Sequence, residues 1–349
     1  MVHTISSDPA RIPQFLYSGP SGHLGWLSNL RIAIVKVLIV SPESPSLPLG
    51  NSITATRWAG ILRTLGHQVE ISGAWNEEDC DLLIALHARR TEASVTHFRQ
   101  AHPRRPVIVA LTGTDIYRDL RVSHEGRQSL AFATRIVVLQ EAAQNELDDA
   151  ARAKTSVIYQ SASPAIQRKE SRSDYFDVCV LSHLRSVKDP LRTAYAARLL
   201  PAESRIRVIQ AGRVLEREWE EKARSEQLAN PRYRWIGEQS HELAMELLAA
   251  SRLLVLSSTM ESGANAIAEA VTMGVPILCS DISGNVGMLG SDYPGYFRVS
   301  DTDQLADLLR RAEMDSPFFT RLRATIENVR HRFSPEHELA SWAQLLSQL

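Results

Sequence analysis

Residues 252–279 read RLLVLSSTMESGANAIAEAVTMGVPILC. The run 252–257 is short, apolar and bounded by polar residues, which suits a strand covered on both faces. The spacing predicts a helix over 264–273, which Gly274 can end, and Val275-Pro276-Ile277 opens a second strand over 275–279. The segment is therefore a strand–loop–helix–strand unit. Its first loop lies at the carboxyl end of a strand, where doubly wound sheets bind ligands.

The same alternation extends in both directions. In the first half, β-rich runs occur at 36–40, 68–72, 81–86, 106–111, 135–139 and 155–159. Asn51 and Ser52 can cap a helix running to Leu65, and Gly66 can terminate it. The polar stretch 160–174, QSASPAIQRKESRSD, has no periodic apolar face and reads as a linker. Strands then recur at 177–181, 205–210, 233–236, 252–257, 275–279 and 296–299. The pattern predicts helices near 190–200, 214–229, 239–250, 264–273, 302–313 and 316–331. The expected fold class is α/β, with two doubly wound Rossmann-like domains facing across a cleft. The boundaries read as an extension over 1–30, without a clear period and expected to be flexible, a first domain over 31–165 and a second over 166–334. In 335–349 the residues Leu339, Trp342, Leu345 and Leu346 recur at helical spacing, and this last helix is expected to return to the first domain.

Bulk properties limit the function classes. The 349 residues carry a formal net charge of −1, so no global field recruits nucleic acid or anionic lipid. No apolar run approaches the roughly 18 residues that suggest a membrane span. The three cysteines, Cys80, Cys179 and Cys279, are too far apart for a metal motif and too few for a disulfide framework. A reducing cytoplasm fits them. His87, His183 and Cys279 have no ligand-spaced neighbours and there is no Asp-x-Asp, so no metal or other cofactor is expected.

Five loops can carry chemistry. In the opening segment, the amides of Gly263, Ala264 and Asn265 would be unpaired at the helix start, an anion site suited to a diphosphate. Glu269, further along that helix, could accept from two ribose hydroxyls, and Glu261 could hold sugar hydroxyls; alone, either would read as an ordinary helical carboxylate. The loop Ser182-His183-Leu184-Arg185-Ser186-Val187-Lys188 follows the first strand of the second half. Its Arg185 and Lys188 can neutralise a leaving diphosphate or simply face solvent, and His183 can serve a ligand or a structural hydrogen bond. In the first half, Gly50-Asn51-Ser52 joins a strand to a helix and suits either an anion or an ordinary turn. Leu86-His87-Ala88-Arg89-Arg90 and Leu111-Thr112-Gly113-Thr114-Asp115 should face the cleft. Two guanidiniums match an anionic acceptor in bidentate fashion, or they extend to solvent.

The two glutamates seven residues apart resemble the E-x7-E signature of family-4 glycosyltransferases, which have the GT-B fold, and the resemblance extends over most of 36–349. It implies that Glu269 binds the nucleotide ribose and that Glu261 lies by the donor sugar. Lys188 matches the family's lysine, whereas His183 stands in its arginine slot, with Arg185 able to supply the charge. Arg89 stands where the family usually has the second histidine of a His-x-His motif. The segments 51–58 (NSITATRW), 85–90 (ALHARR), 111–119 (LTGTDIYRD), 183–190 (HLRSVKDP) and 292–297 (DYPGYF) together are similar to the selenosugar synthases of selenoneine biosynthesis. That resemblance implies a UDP-N-acetylhexosamine donor, with UDP-GlcNAc foremost, and selenophosphate as acceptor. The product would be a 1-selenosugar, with UDP and phosphate, made between enzymes acting before and after. Gly50, Asn51, Gly113 and Asp115 would line the substrate cleft, His87, Arg89 and Arg90 would serve the reacting groups, and the loop at Gly237 would face uracil. The competing readings are a hydroxyl-acceptor transferase, a UDP-GlcNAc 2-epimerase and a non-catalytic nucleotide-sugar binder.

Overall fold

The computed structural model describes residues 35–42, 50–113, 115–163, 166 and 174–349. The extension 1–30 and most of the linker 160–174 lie outside them. Among the described residues, twelve strands form two sheets. The first contains β1 (Lys36–Val40), β2 (Gln68–Ser72), β3 (Leu82–Leu86), β4 (Val107–Leu111), β5 (Arg135–Val138) and β6 (Thr155–Val157), in the order β2-β1-β3-β4-β5-β6. The second contains β7 (Phe176–Leu181), β8 (Ile206–Ala211), β9 (Tyr233–Trp235), β10 (Leu253–Leu256), β11 (Ile277–Ser280) and β12 (Tyr296–Phe297), in the order β12-β11-β10-β7-β8-β9. Every pairing is parallel, with Ile39 opposite Ile84 in one sheet and Cys179 opposite Leu254 in the other. Strands β3, β4 and β10 are buried at every position, as their unbroken apolar sequences require.

The strand order reverses between β1 and β3 in the first sheet and between β7 and β10 in the second. Neighbouring connections there leave toward opposite faces, and the gap between them opens a crevice at the carboxyl ends. The loops after β1 and β3, and those after β7 and β10, border these two crevices.

The last helix, Pro335–Leu346, returns to the first domain as expected. Its Trp342, Leu345 and Leu346 join the core formed by Val37, Ile39, Trp58 and Leu62. The Trp58 and Trp342 rings meet edge to face with centroids 4.8 Å apart. Trp58 Nε1 donates to Glu338 Oε1 over 2.9 Å, and the other carboxylate oxygen accepts from Ser161 N at 2.8 Å. This buried carboxylate therefore ties the first helix, the chain crossing between the sheets and the last helix together.

Two local expectations change. The first helix begins at Gly50, so Asn51 and Ser52 lie inside its first turn rather than capping it. A helix over Ser283–Leu289 follows β11 and carries no sequence signal of its own, because Gly284 and Gly287 lower its propensity. Both glycines answer to packing. A methyl at Gly284 would lie 1.8 Å from the Glu261 carbonyl oxygen, and one at Gly287 would lie 1.6 Å from Gln140 Oε1, across the domain interface.

Candidate active site

At the β7/β10 crevice the two loops are stitched together. Thr259 N donates to Val187 O at 2.9 Å, and Ser257 Oγ donates to Asp189 O at 2.8 Å. These bonds place Lys188 against Glu261, with which it forms a short ion pair. Ser258 Oγ donates to the same Glu261 oxygen over 2.6 Å. Both partners of the ion pair are largely shielded from solvent. The pair fixes the carboxylate and balances the lysine, so Lys188 is not a free cation. Arg185 differs: it has no ion-pair partner among the described residues, and its buried Nε has no hydrogen-bond partner. A guanidinium in that state favours an anion beside it.

His183 Nδ1 accepts the backbone N–H of Arg213 at 3.1 Å, which puts the proton of the neutral ring on Nε2. Burial pushes its pKa below that of ordinary imidazole, and the nearby Arg185, Lys188 and Arg213 push it further. His183 is thus held neutral by a structural bond while its other nitrogen keeps a donor. Both of its sequence readings are therefore compatible. The contact depends on Gly212, where a methyl would lie 1.9 Å from the Ser182 carbonyl oxygen.

The helix Asn265–Met273 starts after Ala264. Glu269 Oε1 is 3.0 Å from His241 Nε2, a contact that raises the His241 pKa. Gly263 is held to glycine by packing: a methyl there would lie 2.7 Å from Leu139 Cβ of the opposite domain. The Ala264 N–H points to Met288 Sδ at 3.2 Å and is also engaged. Gly237 adopts φ +75° and its carbonyl accepts from Gly212 N at 2.8 Å, which locks the loop after β9 to the loop after β8.

The β1/β3 crevice carries the other candidates. His87 is buried with φ +75°, and its ring lies 3.9 Å from Asp115 and 3.7 Å from Asp119. Asp115 was expected to line the cleft, but it is fully buried. Its two oxygens accept the Ala88 and Gly113 N–H groups at 2.9 Å each, so it shapes both loops rather than touching a ligand. Gly113 packs against the His87 ring, 3.2 Å from where a methyl would be. Arg89 Nε donates to Asp119 Oδ2 at 2.9 Å, and Arg90 Nη2 donates to Pro42 O at 3.4 Å; both side chains are solvent-accessible. Arg90 therefore stands over the carboxyl ends of β1 and β3, whereas part of the Arg89 charge is already balanced. Thr112 Oγ1 donates to Asn51 Oδ1 at 2.7 Å, which ties the first helix to the loop after β4. Gly50 starts that helix and is exposed.

Sequence reasoning overlooked two residues on motifs it had quoted. Tyr117 lies in the π-helical turn Asp115–Asp119 and reaches Gln140, whose Nε2 donates to its hydroxyl over 2.6 Å. Burial raises the Tyr117 pKa, and both Ser283 and Glu261 are near enough to influence it. Arg57 lies in the first helix, and its Nη2 donates to Asn265 Oδ1 in the other domain at 3.4 Å. No one-dimensional pattern marks either residue, because both matter through contacts between the two sheets.

The sequence profile of the family described as Glycosyl transferases group 1 matches residues 163–332. HepE of Anabaena, solved in complex with UDP-glucose, aligns with a TM-score of 0.71 at 17% identity over 90% of this chain and 100% of that chain. Sucrose-phosphate synthase from Thermosynechococcus elongatus aligns with a TM-score of 0.72 at 15% identity over 90% and 98% of the two chains. A glycosyltransferase from Rickettsia africae gives 0.65 at 14% identity over 91% and 99%. The chain therefore has the GT-B fold, and its residues 163–332 are similar to the glycosyltransferase group 1 family. No helix among the described residues is long and apolar enough to cross a membrane.

Proposed function

We propose that this protein transfers an N-acetylhexosamine from a UDP-sugar, UDP-GlcNAc foremost, to selenophosphate. The observation that carries the donor half is the β7/β10 crevice. It holds an unpaired Arg185, a neutral His183 donor and a Glu261 fixed by Lys188, with Glu269 on the adjoining helix. In this reading Arg185 and the helix start hold the diphosphate, Glu269 the ribose and Glu261 the sugar hydroxyls. The HepE neighbour was solved with UDP-glucose, which agrees with a nucleotide-sugar donor. In this reading Arg185 and the helix start offset the negative charge of the leaving group, and the reaction needs no metal.

The acceptor half rests on the sequence resemblance and on Arg90 at the β1/β3 crevice. Selenium would attack the anomeric carbon as the bond to UDP breaks. Water would then cleave the phosphorus–selenium bond and release phosphate. Selenophosphate is already anionic, so the step needs positioning more than a general base. One observation favours a hydroxyl acceptor instead. Arg89 is already paired with Asp119, and the His87 ring lies near two carboxylates, an arrangement suited to accepting a proton.

Mass spectrometry of the purified protein with UDP-GlcNAc, with and without selenophosphate and with EDTA present, separates these readings. Selenophosphate-dependent UDP release with a selenium-bearing sugar is expected. In an Arg89→Ala/Arg90→Ala variant, selenophosphate KM should rise about tenfold or more while UDP affinity stays within about twofold. Donor turnover that ignores selenophosphate would leave the hydroxyl acceptor standing, and loss of turnover in EDTA would refute metal independence.

A further inference from the structure

Arg57 is a half-buried cation at the meeting point of the two domains. Its Nη2 donates to Asn265 Oδ1 at 3.4 Å, at the first residue of the helix that carries Glu269. Its Nη1 is buried without a partner, and no carboxylate lies within ion-pair distance among the described residues. The buried Glu338 carboxylate, on which the Arg57 charge acts, already accepts from Trp58 and Ser161. The Arg57 charge nevertheless reaches both sides of this junction. It opposes the burial that raises the Glu338 pKa, and it works against protonation of His241, the partner of Glu269.

A buried guanidinium with an idle N–H group is costly unless an anion joins it. Here it faces a helix start, which itself attracts negative charge. We propose that Arg57, reaching over from the N-terminal domain, donates to the diphosphate of the nucleotide held by the C-terminal domain. The inference rests on the donor reading above. It adds that the nucleotide site is complete only when both domains contribute, since Arg185 comes from one domain and Arg57 from the other. Donor binding would then favour the closed arrangement of the two domains.

The test compares UDP with uridine, by NMR titration, on the wild type and on Arg57→Ala. UDP affinity should fall about tenfold or more, while uridine affinity changes less than about twofold, because a charge-assisted bond to phosphate is lost and the nucleoside contacts remain. Arg57→Gln keeps much of the length and removes the charge, so it gives the same contrast if the alanine variant is unstable. An equal fall for UDP and uridine, or unchanged UDP affinity in either variant, overturns the proposal and leaves Arg57 a structural tie. If the wild type itself binds no UDP, the donor reading fails and the proposal falls with it. A variant defect confined to UDP leaves both standing.

Discussion

Replacing Gly287 by alanine probes whether the packed interface is the arrangement that works. Gly287 lies in the helix Ser283–Leu289 with no positive φ, so alanine is allowed by the backbone and by itself gains about 0.5–1 kcal/mol of helix stability. The cost comes from across the interface. The new methyl would lie 1.6 Å from Gln140 Oε1, 2.5 Å from Gln140 Cδ and 2.9 Å from Ala142 N. Gln140 could rotate away, but its Oε1 accepts Ala143 N at 3.1 Å and its Nε2 serves Tyr117 over 2.6 Å. Each of these buried bonds contributes about 0.5–1.5 kcal/mol, and an unsatisfied buried partner adds about 1–3 kcal/mol. The Ala142 backbone cannot rotate away, so the helix itself must also retreat. The balance is about 2–3 kcal/mol against the docked arrangement, or roughly 30- to 150-fold in its population. UDP release with donor and acceptor present should show kcat/KM down at least about tenfold. The same exchange at Gly60, where a methyl meets nothing within 4 Å, should leave turnover unchanged. Turnover within threefold of wild type in Gly287→Ala, with folding intact, would refute the idea that this interface belongs to the active arrangement.

Other outcomes follow from the same contacts. Trp342→Ala removes a fully buried ring packed on Trp58, and urea unfolding should show a loss of about 3–5 kcal/mol; a loss below about 1 kcal/mol would mean the last helix contributes little to the first domain. His183 should titrate below ordinary imidazole in ring-detected NMR spectra, because burial and three neighbouring cations disfavour its protonated form. Since the unfolded chain then binds the extra proton first, this residue's contribution to stability is present above its unfolded pKa of 6.5 and is lost as pH falls from there through the lower folded value. Added UDP brings negative charge and should raise the His183 pKa; an unshifted titration would place the phosphates elsewhere.

The two doubly wound sheets were legible in the sequence, because parallel strands buried on both faces leave unbroken apolar runs such as 82–86 and 107–111. Helix positions in the second half agree to within a few residues, and Trp342 was identifiable from spacing alone. The glutamate pair, Arg185 and Lys188 were also visible, since they sit on loops that directly follow strands. What escaped notice was set by partners distant in sequence. Asp115 sits in a loop that faces a crevice, yet its carboxylate is consumed by two backbone amides of neighbouring loops. Gly263 also packs against Leu139 of the other domain, a contact that no local pattern announces.

By itself, then, the order of residues determined the two sheets, the return of the last helix and which loops could meet a ligand. Those properties follow from local periodicity and from burial on both faces of a strand. Only the tertiary structure decided which charges remain available. Lys188 is balanced by Glu261 and Arg89 by Asp119, whereas Arg185 and Arg57 keep unpartnered nitrogen atoms. The physical reason is that a charge becomes available or neutralised through neighbours at hydrogen-bond range. For these residues those neighbours lie as many as 208 positions away along the chain.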